Sequence, residues 1–167
     1  MIHVAVLGYG TVGSGVVEVI ENNKTLVNKR ALTEVNVKYI LDLLDFPGDP
    51  YEDKIVHSID VIVDDPEVSI VCETMGGVRA AYEFTKKALS KGKSVCTSNK
   101  EMVAKYGPEM LQLAKENNCN YLFEASVGGG IPIIRPINEA LTAEKLEAIT
   151  GILNGTTNYI LTKMQNE

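Results

Sequence analysis

The chain begins with a short, mostly apolar run, Ile2 to Leu7, with His3 its one polar position, and then changes period. Through and after three closely spaced glycines, Val12, Val16, Val17 and Ile20 recur at helical spacing. A short continuous run suits a buried strand, and recurrence at three and four residues suits a helix with one inward face. The pattern therefore predicts a strand over 2–7 and a helix to about residue 22. NNKTLVNKR has no apolar period and reads as a polar connector. EVNVKYILD (34–42) alternates and then turns apolar, which predicts a second strand. DFPGDPYED is dense in Pro, Gly and Asp and reads as a surface loop. VSIVCE (68–73) predicts a third strand, preceded by a short segment around 59–65.

Beyond it the pattern is helical over 78–90, with Lys91-Gly92 as a natural stop. SVCT (94–97) reads as a strand and 100–118 as a helix that Gly107-Pro108 must restart. A strand over 120–127, a sharp break at GGGIP, a helix over 135–141, a strand-like run over 145–153 and a helix over 154–164 complete the series. Strands alternating with helices predict an α/β fold: a Rossmann-type, doubly wound, mostly parallel sheet with right-handed crossovers. The chain stops at Glu167 in or just after a helix without a cap, which reads as a cut end.

With 167 residues, 45% of them hydrophobic and 23% charged, the chain suits one soluble domain with a sizeable core. Its net charge of −6 gives no long-range attraction for nucleic acid or an anionic membrane. No signal-peptide pattern and no apolar stretch of spanning length is present. Cys72, Cys96 and Cys119 are odd in number and fit neither a disulfide framework nor a zinc site. They read as reduced thiols, and the expected location is the cytoplasm.

Gly8, Gly10 and Gly13 form a Gly-x-Gly-x-x-Gly between the first strand and the first helix, the context that a dinucleotide cradle requires. Gly8 permits the tight turn, Gly10 lets the backbone approach a pyrophosphate, and Gly13 lets helix and strand pack closely. Amides at the helix start, around Thr11 and Val12, then meet the anion with the helix dipole behind them. The competing reading is a plain glycine turn. Cofactor choice is read at the end of the second strand, ILDLLD, which offers Asp42 and Asp45 and no base. An acid about 4 Å from a 2′-phosphate costs roughly 1 kcal/mol in water and about 4 kcal/mol at an effective dielectric of 20. NAD is therefore favoured, with Asp42 ahead of Asp45 for the ribose.

CETMGG, TSNKEMVA, FEASVGGGIPI and NGTTNYI follow the glycine loop in order. Together they give the chain a resemblance to the N-terminal part of homoserine dehydrogenases, covering nearly all of its length. The resemblance implies NAD(P)-dependent interconversion of L-homoserine and L-aspartate 4-semialdehyde on the route to threonine and methionine. It implies Thr74, Met75, Gly76 and Gly77 beside the cofactor, with Ser98, Asn99 and Lys100, and Lys100 reaching nicotinamide and substrate. It further implies a sodium ion on the main-chain carbonyls of Glu124, Val127, Gly129 and Ile131, and substrate contacts at Gly155 and Thr156. On this reading 1–141 is the dinucleotide-binding domain, and 142–167 is only the start of an α+β substrate-binding and dimerisation domain. A homodimer is the expected assembly. Members often carry a base near the second strand's end. LDLLD departs from that, so NADP is the alternative to NAD.

Reducing an aldehyde needs a proton for the developing alkoxide, and an ammonium beside the carbonyl oxygen stabilises that charge. Lys100 follows a strand at the sheet's carboxyl edge, where desolvation would lower its pKa. Its plainer reading is a surface lysine at a helix start, with Asn99 as the cap. Gly128 to Gly130 could be a flexible turn, and Thr156 and Thr157 a simple helix start. Cys96 would suggest a thioester-forming aldehyde dehydrogenase, but His3 and His57 are poor base partners and a buried structural thiol is favoured. A regulatory nucleotide-binding module without catalysis is the other rival.

Overall fold

The computed structural model describes residues 1–152 and 154–166. Six strands, β1 (Ile2–Leu7), β2 (Val35–Leu41), β3 (Ile55–Val56), β4 (Val68–Glu73), β5 (Ser94–Thr97) and β6 (Tyr121–Leu122), form one parallel sheet. Their spatial order is β3-β2-β1-β4-β5-β6, so the winding reverses between β1 and β4. This is the doubly wound order, in which ligands bind outside the carboxyl ends of the strands at the reversal.

Register makes that edge level. Leu7 pairs with Leu41 on one side and Glu73 on the other, and Glu73 pairs with Thr97. The residues that follow, Gly8, Asp42, Thr74 and Ser98, therefore leave the sheet side by side. Both faces are covered, as a parallel sheet requires. Along β1, Val4 and Val6 join the cluster that holds Val17 of α1 (Thr11–Asn22). Ala5 and Leu7 point the other way, into a cluster with Ile62 of α3 (Ile59–Val63), Leu89 of α4 (Arg79–Ser90), and Met102 and Met110 of α5 (Lys100–Glu116). Each fully buried aliphatic contributes about 1.5–3 kcal/mol relative to exposure. Ser58 and Asn99 cap α3 and α5, accepting from the amides of Asp60 at 3.2 Å and Met102 at 3.0 Å.

Four sequence expectations need correction. The polar connector contains a helix, α2 (Lys24–Ala31), without a fully buried residue. Lys24, Leu26, Lys29, Arg30 and Ala31 are good helix formers, and Asn28 Oδ1 pins the helix by accepting from the Val35 amide at 2.9 Å. Pro108 does not restart α5, which runs through it unbroken. Pro108 forfeits one main-chain donor, and fully buried Met102 and Met110 anchor the helix on either side. The sixth strand ends at Leu122 rather than running to 127. Phe123 turns the chain, with Ser126 Oγ donating to its carbonyl at 2.6 Å, into α6 (Glu124–Gly128). No strand forms over 145–152, all exposed, because no neighbouring strand offers it a ladder; Leu153 lies outside the described residues. The helices near 135–141 and 154–164 are present as α7 (Ile134–Ala140) and α8 (Thr156–Asn166).

Candidate functional site

The glycine loop is shaped by two close approaches. Gly8 has φ +89°, which L side chains rarely adopt, and its amide donates to Leu41 O at 2.8 Å. At Gly13 a Cβ would lie 1.8 Å from Gly8 O and 2.9 Å from Thr74 Oγ1. Only a glycine lets α1 sit this near the strand end. Around Gly10 the space is open. No side-chain cap bonds the start of α1 among the described residues, and its first turn holds no acid. Its amides and the positive end of its dipole are thus left for an anion.

A cleft of about 390 Å³ lies at the reversal point, lined among others by Gly8, Gly10, Asp42, His57, Thr74 and Met75. Gly76 lines it too, while Thr11, Val12, Gly13, Gly77, Ser98, Asn99 and Lys100 are not among its lining residues. Asp42 is half-buried. Its Oδ2 accepts from the Tyr9 amide of the glycine loop at 2.7 Å, and its Oδ1 from the Leu44 amide at 3.0 Å. Asp45 is outside the cleft, 80% exposed, against His57 Nε2 at 3.1 Å. His57 Nδ1 meets Asp42 O at 2.8 Å. That main-chain acceptor, and then the Asp45 carboxylate, push the imidazole above its usual range.

Across the cleft the loops after β4 and β5 are braced. Thr74 Oγ1 donates to Leu7 O at 2.8 Å and Gly8 O at 3.0 Å. Glu73, fully buried, accepts from the Met75 amide at 2.8 Å and from the Thr97 hydroxyl. Burial pushes its carboxyl above the usual range, against the pull of those bonds. Asn99 Nδ2 donates to Gly77 O at 2.6 Å. Lys100 opens α5 with its side chain exposed. The desolvation expected of it is therefore not supplied by the described residues, because nothing packs over the helix start.

The remaining predicted residues lie elsewhere. Glu124, Val127, Gly129 and Ile131 are together on α6 and the turn after it, where Gly129 has φ +59°. The Glu124 carboxylate accepts from the amides of Ile133, of Ile134 at 2.8 Å and of Arg135 at 2.7 Å. These bonds hold its carboxyl below the usual range. Among the described residues no cluster of His, Cys, Asp and Glu suits a metal ion. Gly155 and Thr156 are exposed at the start of α8 and line neither this cleft nor a second one of about 720 Å³ beside α7. The Thr157 amide is already accepted by Asn154 Oδ1 at 2.7 Å. It is thus not open for a ligand carboxylate.

Cys72 and Cys96 pair across β4 and β5 with their sulfurs 3.3 Å apart, both as free thiols. The bond to Cys96 and burial push the Cys72 thiol up. His57 is engaged with Asp42 and Asp45, so no imidazole bonds to Cys96 among the described residues. Two groups escaped the sequence reading. Glu73 left a signal, a carboxylate closing an apolar strand at the ligand-binding edge. His57 left none, because β3 spans two residues and its register is invisible in the sequence.

A family model described as the NAD-binding domain of homoserine dehydrogenase matches residues 8–124, and a second, described as homoserine dehydrogenase, matches 132–167. The chain belongs to the homoserine dehydrogenase family. A homoserine dehydrogenase from Bacillus subtilis is 42% identical over 173 residues, covering 99% of this chain and 39% of the relative. The crystal structure of a homoserine dehydrogenase from Thiobacillus denitrificans has a TM-score of 0.89 at 40% identity, covering 99% of this chain and 39% of that one. A hyperthermophilic archaeal homoserine dehydrogenase in complex with NADPH has a TM-score of 0.81 at 30% identity, covering 99% of this chain and 56% of that one. The chain thus spans about two-fifths of the length of the curated relatives it matches. Among the described residues no helix is long and apolar enough to cross a membrane.

Proposed function

We propose that this chain carries the nicotinamide-cofactor half of a homoserine dehydrogenase, binding NAD in preference to NADP. The observation that carries the reading is the junction of the glycine loop with Asp42: one carboxylate, fixed by the Tyr9 and Leu44 amides, faces the cleft into which the start of α1 opens. A pyrophosphate would meet the amides at Gly10, Thr11 and Val12, and Asp42 would accept from the adenine ribose hydroxyls. A 2′-phosphate in the same place would face that carboxylate.

A bound nicotinamide supplies or takes the hydride. The chain's own contribution at that end is the braced edge formed by Thr74 to Gly77 and Ser98 to Lys100. The Lys100 ammonium, free of hydrogen bonds and ion pairs among the described residues, would polarise an aldehyde oxygen and stabilise the alkoxide as it forms. The substrate pair is L-homoserine and L-aspartate 4-semialdehyde, on the route to threonine and methionine, with Gly155 and Thr156 at the substrate. Lys100 is exposed, and the chain spans two-fifths of its relatives. The 167-residue chain alone therefore binds cofactor and turns over little or no homoserine.

The division at residue 141 belongs to the same proposal, supported by the absence of any buried or half-buried side chain among the described residues from Leu141 onward. So does a homodimer, supported by the exposed Tyr159, Ile160, Leu161 and Met164 of α8. The free thiols suit a reducing cytoplasm. A sodium ion on the main-chain carbonyls of Glu124, Val127, Gly129 and Ile131 belongs to the same proposal, supported by the turn that Gly129, at φ +59°, makes directly after α6.

The test is a fluorescence titration of the protein with NADH and, in parallel, NADPH. Saturable NADH binding with weaker NADPH binding is expected, and Asp42→Ala should narrow the difference. NADPH binding as tight as or tighter than NADH binding refutes the role given to Asp42. Binding of neither refutes the cofactor reading.

A further inference from the structure

We propose that Glu73 is a positioning residue of the cofactor site, tying the loop after β4 to the loop after β5 and setting the gap between them. The inference rests on the cofactor reading above.

The carboxylate sits at the end of β4, fully buried, with no cation paired to it among the described residues. One oxygen receives the Met75 amide and the other the Thr97 hydroxyl. The tie continues on both sides. Thr97 Oγ1 accepts from the Asn99 amide at 3.0 Å. Asn99 returns across the gap to Gly77 O at 2.6 Å, and its Oδ1 caps α5. The main chain closes the same ring, with the Ser98 amide donating to Glu73 O at 3.3 Å. Thr74 and Met75 line the cleft, so what fixes Met75 fixes a wall of the site.

Both donors aimed at Glu73 require an acceptor, and an ionised carboxylate is the side chain that only accepts. A glutamine offers one acceptor and one donor, so it can serve Met75 or Thr97 but not both in the same way. A neutral acid has the same defect. The titratable groups facing Glu73 from the neighbouring strands are the Cys96 thiol and the Tyr121 hydroxyl, the latter buried without a hydrogen-bond partner among the described residues. Neither is a cation that would offset the charge. An unpaired buried carboxylate costs stability, and filling space at this position would need only an apolar side chain. What the charge supplies is the fixed distance between two loops.

The test compares wild type and Glu73→Gln for folding and for NADH affinity from neutral to mildly acid pH. Burial holds the Glu73 carboxyl above its usual range, so wild-type affinity should fall on acidification as Glu73 protonates. Glu73→Gln should fold, bind NADH about tenfold more weakly at neutral pH, and lose that part of the pH dependence. Any component from His57, at the far end of the cleft, remains in both profiles and cancels in their difference. Wild-type affinity and an unchanged pH profile in Glu73→Gln overturn the inference while leaving cofactor binding intact. Failure of the wild type to bind NADH overturns the cofactor reading and the inference together. Should Glu73→Gln not fold, Thr97→Val with amide exchange on the free protein decides: faster exchange at Asn99 with weaker NADH binding supports the tie, and no change in either overturns it.

Discussion

A methyl group at residue 13 would test the closest contact in the glycine loop, and one at residue 15 supplies the control. In Gly13→Ala the new Cβ would stand 1.8 Å from Gly8 O and 2.9 Å from Gly8 C, distances that real Cβ atoms do not show below 3.0 Å. Either α1 or the strand end must retreat by more than an ångström. Retreat breaks the packing of Val17, which is fully buried, and such overpacking costs about 1–3 kcal/mol. Here the overlap is with main chain, which places the cost near the upper figure. Against it stands the helix propensity of alanine over glycine, about 1 kcal/mol. The net is a loss of about 2 kcal/mol, or roughly 4–8 °C in Tm for a chain of this size. Gly15→Ala lies in the same helix with nothing within 4 Å of its Cβ, so it keeps the propensity gain and should raise Tm by about 2–4 °C. The assay is thermal and urea unfolding of both variants beside the wild type. Equal Tm values for the two variants would refute the argument that Gly13 is required by contact rather than by chance.

Two further predictions concern single side chains. His57 is held above its usual value of 6.5 by the Asp42 carbonyl and then Asp45. Its contribution to stability is therefore fully present below pH 6.5 and is lost as pH rises through the raised value. An NMR titration should place the imidazole midpoint above 6.5 and see it fall in Asp45→Asn; a wild-type midpoint at or below 6.5 contradicts the geometry. The Thr85 hydroxyl of α4 is fully buried without a hydrogen-bond partner among the described residues. Thr85→Val should raise stability by about 1 kcal/mol in urea unfolding, and a loss of that size would mean that the hydroxyl is bonded in solution.

How much of this is legible in the sequence depends on how local the signal is. β1, α1 and the glycines announce themselves because strand, turn and helix are contiguous and each has its own period. Asp42 is found by its place after β2, a rule about sheet edges rather than about neighbours in sequence. The braces are not legible. Nothing in CETMGG or TSNK says that Glu73 and Thr97 will meet, because that contact is created by the register of β4 against β5. α2 escapes because a helix with no buried residue leaves no apolar stripe. Pro108 misleads in the opposite direction: the local rule predicts a break, and burial on both sides overrides it. The end of the chain is the least legible. Glu124 is apolar in company and reads as strand, yet its carboxylate is used to gather three amides at the start of α7.

The placing of β1 at the reversal of the sheet has a consequence for synthesis on the ribosome. β1 is made before both of its partners, and its two ladders are completed at very different times. One edge can be closed when residue 41 emerges, since Leu7 pairs there with Leu41. The other waits for β4, ending at Glu73. At about 5–20 residues per second, that interval lasts on the order of seconds. For that time a mostly apolar strand of the nascent chain shows an unpaired edge, the feature that invites a neighbour's strand. Crowded polysomes are thus one place where this fold is open to misassembly.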